Sequence, residues 1–123
     1  ENNNGKCKII SGQWYDIYSG KTYTNPLILD IDHIIPLKEA WRSGANKWTE
    51  QKRQKFANDY DNLIAVHRSL NRQKKDKDPK EWLPPKKDFI CEYIELWISI
   101  KYKYNLEMDV KEKEIIAEIQ DKC

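Results

Sequence analysis

The stretch Leu29-Asp30-Ile31-Asp32-His33-Ile34-Ile35-Pro36 decides how this chain is read. Leu27 to Ile35 is an apolar run broken only by two carboxylates and one of the two histidines in the sequence. Polar groups inside an apolar strand are costly unless partners or a metal compensate them. On an ideal strand Asp30 and Asp32 share one face, and His33 points to the other. For Asp32 and His33 to serve one site the strand must end or bulge there, and Pro36, which donates nothing to a ladder, marks such an ending. By itself the Asp32-His33 pair reads more often as a satisfied hydrogen-bonded pair than as a catalytic one.

A second element changes the balance. Asp61-Asn62-Leu63-Ile64-Ala65-Val66, after the turn-like Asn58 to Asp61, predicts another short strand. The polar stretch from Ser69 to about Lys75 predicts a short helix capped by Ser69. Nine residues separate Asn62 from Asn71, so the helix carries an amide oxygen that folds back toward the first strand. A carboxylate plus an amide oxygen is hard-oxygen ligation, suited to Mg²⁺ or Mn²⁺ rather than zinc. His33, without cysteine partners, stays free to act as a base. Strand, connection, strand and helix therefore occupy residues 28–75.

Working outward, residues 13–23 set aromatic and β-branched residues around Ser19-Gly20, which predicts a hairpin. Pro36 to Ser43 predicts a short helix with Gly44 as its cap, placing Glu39 on the helix surface. A second short helix is expected from Thr49, its N-cap, to Ala57. In the last third, Phe89, Ile90, Tyr93, Ile94, Trp97, Ile100 and Tyr104 recur at helical spacing. Asp109 and Glu112 make a capping-box start for Ile115, Ile116 and Ile119. Two antiparallel helices with a turn near Asn105 to Met108 bring Cys91 and Cys123 level, each about 20 Å from that turn at ~1.5 Å per residue. A Cys91–Cys123 disulfide is expected, with two buried free thiols as the competing reading. Bridging them points to an oxidising compartment. Cys7 is the odd one of three cysteines. The first residue is Glu1 and the only Met is Met108, so a processed N-terminus is expected.

The 123 residues fit one domain with a real core. Eleven per cent aromatic residues, five of them Trp, argue against disorder, and no window is apolar enough to span a membrane. The Trp residues read as core or loop anchors rather than base-stacking platforms. The net charge of +2 hides an asymmetry: residues 67–87 carry eight basic against three acidic residues, and residues 88–123 carry five against nine. A local basic block suits a nucleic-acid backbone, or else is a solvated loop.

Asp-x-Asp-His-Ile-Ile-Pro at 30–36, Asp61-Asn62-Leu63 and Asn71 with Lys74 three residues on together resemble the His-Asn-His (HNH) nuclease family. More closely, the chain resembles its secreted branch of the domain-of-unknown-function 1524 type. That branch shares Ser19-Gly20-Lys21-Thr22, Glu39-Ala40-Trp41-Arg42-Ser43-Gly44-Ala45, Phe56-Ala57-Asn58-Asp59, Asp78-Pro79 and Trp82-Leu83-Pro84-Pro85. The resemblance implies a ββα-metal fold, with His33 as general base and Asn62 holding the connecting loop and orienting the histidine. It implies Asp32 and Asn71 as ligands of one divalent cation, Mg²⁺ first and Mn²⁺ next. Arg72 and Lys74 are implied as phosphate contacts and Arg42 as a weaker one. His67 is expected at the surface or flanking the substrate, and Asp30 in support of the site. Close relatives tend to carry a further upstream cysteine, absent here, so Cys7 is expected to be free, to link two chains, or to have lost its partner to processing.

The expectation is thus an α+β domain over residues 1–123. It comprises an N-terminal hairpin region (1–27), a ββα-metal core (28–75), a basic Pro-containing strap (76–87) and a C-terminal antiparallel helical hairpin (88–123). Its expected function is metal-dependent endonucleolytic hydrolysis of DNA, or also RNA, with little sequence preference, by a monomer that is secreted or periplasmic and has no membrane partner. Two rival readings are a non-catalytic nucleic-acid-binding module on the same fold and a modification-dependent restriction nuclease domain.

Overall fold

The computed structural model describes residues 12–123, together with the backbone pairing of β1 (Asn2–Asn3) with β2 (Lys6–Cys7). The side chain of Cys7, and with it the expected link between two chains, lies outside the described residues. The architecture is α+β: small antiparallel strand pairs, five α-helices and a C-terminal helical hairpin.

The hairpin of β3 (Trp14–Asp16) and β4 (Lys21–Tyr23) closes where the sequence predicts a turn. The buried Asp16 carboxylate holds the turn, accepting from the backbone N–H groups of Tyr18 and Ser19, both at 3.2 Å. Gly20 follows at φ 74°, where a side chain is strained, and a Cβ there would lie 2.6 Å from Lys86 Cδ. The turn points Tyr18 inward, fully buried, with its ring centroid 5.1 Å from Trp82 and 5.9 Å from Tyr93.

After a 3₁₀ turn at Pro26–Ile28, β5 (Leu29–His33) pairs antiparallel with β6 (Leu63–His67), Asp32 opposite Ile64 and His33 opposite Leu63. The connection carries α1 (Leu37–Arg42), a 3₁₀ turn at Ala45–Lys47 and α2 (Glu50–Ala57), the last capped by Thr49 as its sequence predicts. α3 (Arg68–Lys74) follows β6 and packs on both strands. It begins before the expected start, because His67 Nδ1 accepts from Ser69 N at 3.1 Å and caps the helix in place of the Ser69 hydroxyl.

α4 (Lys87–Lys103) and α5 (Val110–Lys122) form the predicted hairpin, with the Asp109/Glu112 capping box intact. Phe89, Tyr93, Ile94, Trp97 and Ile100 are buried along one stripe of α4, against Tyr18 and the β5–β6 unit. Glu39 departs from expectation. It is 4% exposed rather than on the helix surface, because Lys101 of α4 reaches its carboxylate at 2.7 Å. Cys91 and Cys123 are bridged, with Cα atoms 6.0 Å apart across 32 residues of chain. Among the described residues no helix is long and apolar enough to cross a membrane.

Closing a loop of that length is worth roughly 3–4 kcal/mol in the chain-entropy account. Reduction is therefore expected to lower the thermal midpoint by many degrees without changing the folded far-ultraviolet spectrum, as melting with and without dithiothreitol checks. Burial also raises the pKa values of Tyr18, Tyr93 and Tyr104, that of Tyr104 to about 12. Raised phenol values add stability that is whole below the unfolded value near 10 and is lost as pH rises through the folded values. A spectrophotometric tyrosine titration is expected to find these three of seven tyrosines ionising late, with resistance to urea falling above pH 10.

Candidate functional site

Strand alternation turns Asp30 and Asp32 toward α3, and each meets a cation or amide from that helix. Arg68 Nε and Asn71 Nδ2 each lie 3.3 Å from the Asp30 carboxylate. Lys74, one turn beyond Asn71, lies 2.7 Å from Asp32 Oδ2. Asn71 thus sits on the β5 face that carries both carboxylates, and its direct partner is Asp30 rather than Asp32.

Asp32 is 7% exposed, and its Oδ2 also accepts from the Tyr18 hydroxyl at 2.7 Å. Among the described residues neither its other oxygen, Oδ1, nor the side-chain Oδ1 of Asn71 accepts a protein hydrogen bond. Those two atoms and the Asp30 carboxylate are oxygen donors on the α3 side of β5, of the chemical type hard divalent cations prefer. Among the described residues, three carboxylates come close together elsewhere. Asp78, Asp109 and Glu112 lie within 4.8 Å of one another beside the helical hairpin. There Asp109 caps α5 and Glu112 is engaged by Lys101 and Trp97. Burial raises the pKa of Asp78, and the charges of Asp109, Glu39 and Glu81 push the same way.

Lys74 corrects its expected role. It is fully buried and no phosphate contact, because its ammonium donates to Asp32 Oδ2 and to the carbonyls of His33 and Ile34 at 2.6–3.0 Å. Burial pulls its pKa below the ordinary lysine value while Asp32 opposes that shift. Two of its three hydrogen bonds instead fix the backbone at His33 and Ile34. Arg42 is likewise committed, to Asp76 at 2.7 Å and to Glu39 at 3.0 Å. Arg72 is exposed, alongside Lys75, on the outer side of α3.

His33 is half-buried at the end of β5, its Nε2 2.9 Å from the Ala57 carbonyl. With Nε2–H donating to that carbonyl, Nδ1 carries the lone pair and is able to accept a proton. Fully buried Asn62 clamps the chain just beyond: its Oδ1 accepts from Ile35 N at 2.8 Å, and its Nδ2 donates to Ile35 O at 3.1 Å. Its own carbonyl accepts from Ile34 N at 2.9 Å. His67 serves as the α3 cap, its ring 5.0 Å from Tyr23.

Three participants carried no clear sequence signal. The Ala57 contact is a backbone carbonyl, and Tyr18 is one of seven tyrosines. Arg68 looks like any cation of the basic block until α3 turns it onto Asp30.

The family described as GmrSD restriction endonucleases, C-terminal domain, matches residues 1–119. An "Uncharacterized secreted protein" of Arthroderma benhamiae is 41% identical over 121 residues, covering 97% of this chain and 59% of that protein. The chain thus spans about six-tenths of the relative's length. No solved structure matches.

If Lys74 is the counter-charge of Asp32, Lys74→Met leaves a carboxylate buried without its cation. That is expected to cost about 3–5 kcal/mol in urea unfolding. The double variant Lys74→Met with Asp32→Asn is expected to recover part of the loss, and equal stability of Lys74→Met and parent would refute the pairing.

Proposed function

We propose a phosphodiester-hydrolysing function for this chain, which belongs to the family of GmrSD restriction endonuclease C-terminal domains. The reading is that of an HNH-type, metal-dependent endonuclease acting on nucleic acid with little sequence preference. The observation that carries it is the imidazole of His33, anchored through Nε2 to Ala57 O with Nδ1 free, one residue beyond Asp32 and on the strand against which Asn71 rests.

In this reading His33 takes the proton of the attacking water, a role for which a neutral imidazole is suited near pH 7. Asn62 and Lys74 hold the backbone at His33 and just beyond it, which limits how the imidazole is directed. Asp32 Oδ1, Asn71 Oδ1 and the Asp30 carboxylate are the oxygens that would hold the divalent cation, Mg²⁺ first and Mn²⁺ next. When bound, such a cation stabilises charge on the phosphoryl and leaving oxygens. Arg72, with Lys75 beside it, takes the phosphate-contact role, and contacts made mainly to the backbone weaken steeply with salt.

The disulfide, and a relative named as a secreted protein, support a secreted setting, because such bridges persist in oxidising compartments. A restriction nuclease domain is the second reading, favoured by the family's description as restriction endonucleases, and cutting of modified DNA alone is what that reading expects.

Cleavage of supercoiled plasmid, single-stranded DNA and RNA in Mg²⁺, in Mn²⁺ and in EDTA tests the proposal. Wild type is expected to cut in either ion and not in EDTA. His33→Ala is expected to lose about 10²–10⁴-fold in rate with an unchanged circular dichroism spectrum. Equal cutting by both proteins, or cutting in EDTA, overturns the mechanism, and cutting confined to modified DNA selects the second reading.

A further inference from the structure

An open cavity of about 270 Å³ lies between α1 and α2, lined by Leu37, Trp41, Trp48, Phe56 and Ala57 among others. Its walls are almost wholly apolar, yet they reach the surface: Trp41 is 53% exposed and Leu37 is 48% exposed. Isolated apolar side chains at a surface need no explanation, but a concave aromatic group does.

Three observations say what it takes. The cavity neighbours the candidate site through one residue: Ala57, which lines it, is the residue whose carbonyl anchors His33 at 2.9 Å. Its surroundings carry more positive than negative charge: residues 37–57 hold six basic side chains and two acidic ones, with Glu39 buried against Lys101, Glu50 on the cavity lining together with Arg53, and Arg42 paired with Asp76. Finally, one rim is a fixed cation. Arg53 donates to Trp48 O at 2.7 Å and to Ala45 O at 3.2 Å, which holds its guanidinium 5.3 Å from the centroid of the Trp41 ring. Flat apolar walls, a positive rim and a volume below that of drug-sized pockets match one planar base attached to a phosphate backbone.

We propose that this cavity is a nucleobase-binding subsite. It takes one base of the strand next to the scissile phosphate, unstacked from its neighbours and laid against Trp41. Every base has a π-face, so the subsite fixes the position of the strand without reading its sequence. Binding one base here fastens the nucleotide beside it relative to His33. The proposal rests on the nuclease reading above, because only a nucleic acid brings the base.

The test uses the His33→Ala chain, which holds substrate uncut, with fluorescent single-stranded oligonucleotides carrying an abasic position stepped along the strand. One abasic position is expected to weaken binding by ~5–150-fold, the value of one stacked base. Trp41→Ala is expected to lose a similar factor on the intact strand and to become indifferent to the abasic position, while Trp41→Phe keeps most of both. Abasic strands that all bind like the intact one overturn the subsite, even if Trp41→Ala fails to fold. So does a Trp41→Ala chain that binds like its parent, which would leave the cavity to an apolar protein segment. Those failures leave plasmid cutting by the wild type, and its loss in His33→Ala, untouched. Absence of cutting and of oligonucleotide binding together removes the nuclease reading, and the subsite with it.

Discussion

A lysine wholly withdrawn from water, at the end of a seven-residue helix, governs the arrangement of everything around His33. An isolated buried ammonium is prohibitively unfavourable, so Lys74 folds only where Asp32 and two carbonyls surround it. Those two carbonyls belong to His33 and Ile34, where β5 ends. Satisfying the lysine therefore fixes the angle of α3 to the strand and the course of the backbone leaving it. Tyr18 completes the shell from the N-terminal hairpin, which ties a third part of the chain to the same carboxylate oxygen. With Oδ2 doubly engaged, only Oδ1 of Asp32 is left for an outside partner.

A second buried lysine does comparable work at the opposite side of the core. Lys101 projects from α4 onto Glu39 of α1 and Glu112 of α5, both at 2.7 Å, while Trp97 donates to the same Glu112 oxygen at 2.8 Å. One ammonium thereby joins the connection that carries the apolar cavity to the C-terminal hairpin. Burial raises the pKa of Glu112 while Lys101 and Trp97 oppose that shift. The disulfide closes the free end of the same hairpin, so α4 and α5 are fixed by a charge cluster near their turn and by a covalent bond at their ends.

Much of the fold was readable from local patterns. The 3.6-residue stripe of α4, the Asp109/Glu112 box, the Thr49 cap and the Ser19-Gly20 turn are each set within a few residues and survive as written. The candidate site was readable only in outline. Strand alternation announced that Asp30 and Asp32 share a face, but spacing gave no means of telling which of them Asn71 meets. Lys74 looked like one more cation of a basic block because neighbouring residues do not report burial. Glu39 looked like helix surface for the same reason, its partner lying 62 residues away. A lysine set within the apolar stripe of α4 is the one local signal that Lys101 is buried.

The sequence by itself determined the elements: where strands alternate, where helices start, and which two cysteines come level when two helices run antiparallel. These are short-range matters of backbone sterics, capping and periodicity, settled by residues within a turn or two of one another. The tertiary structure alone decided which charges are buried and whom they face. A side chain's solvation depends on every element that packs over it, so Lys74, Lys101 and the cavity under Trp41 exist only once the whole chain has closed around them.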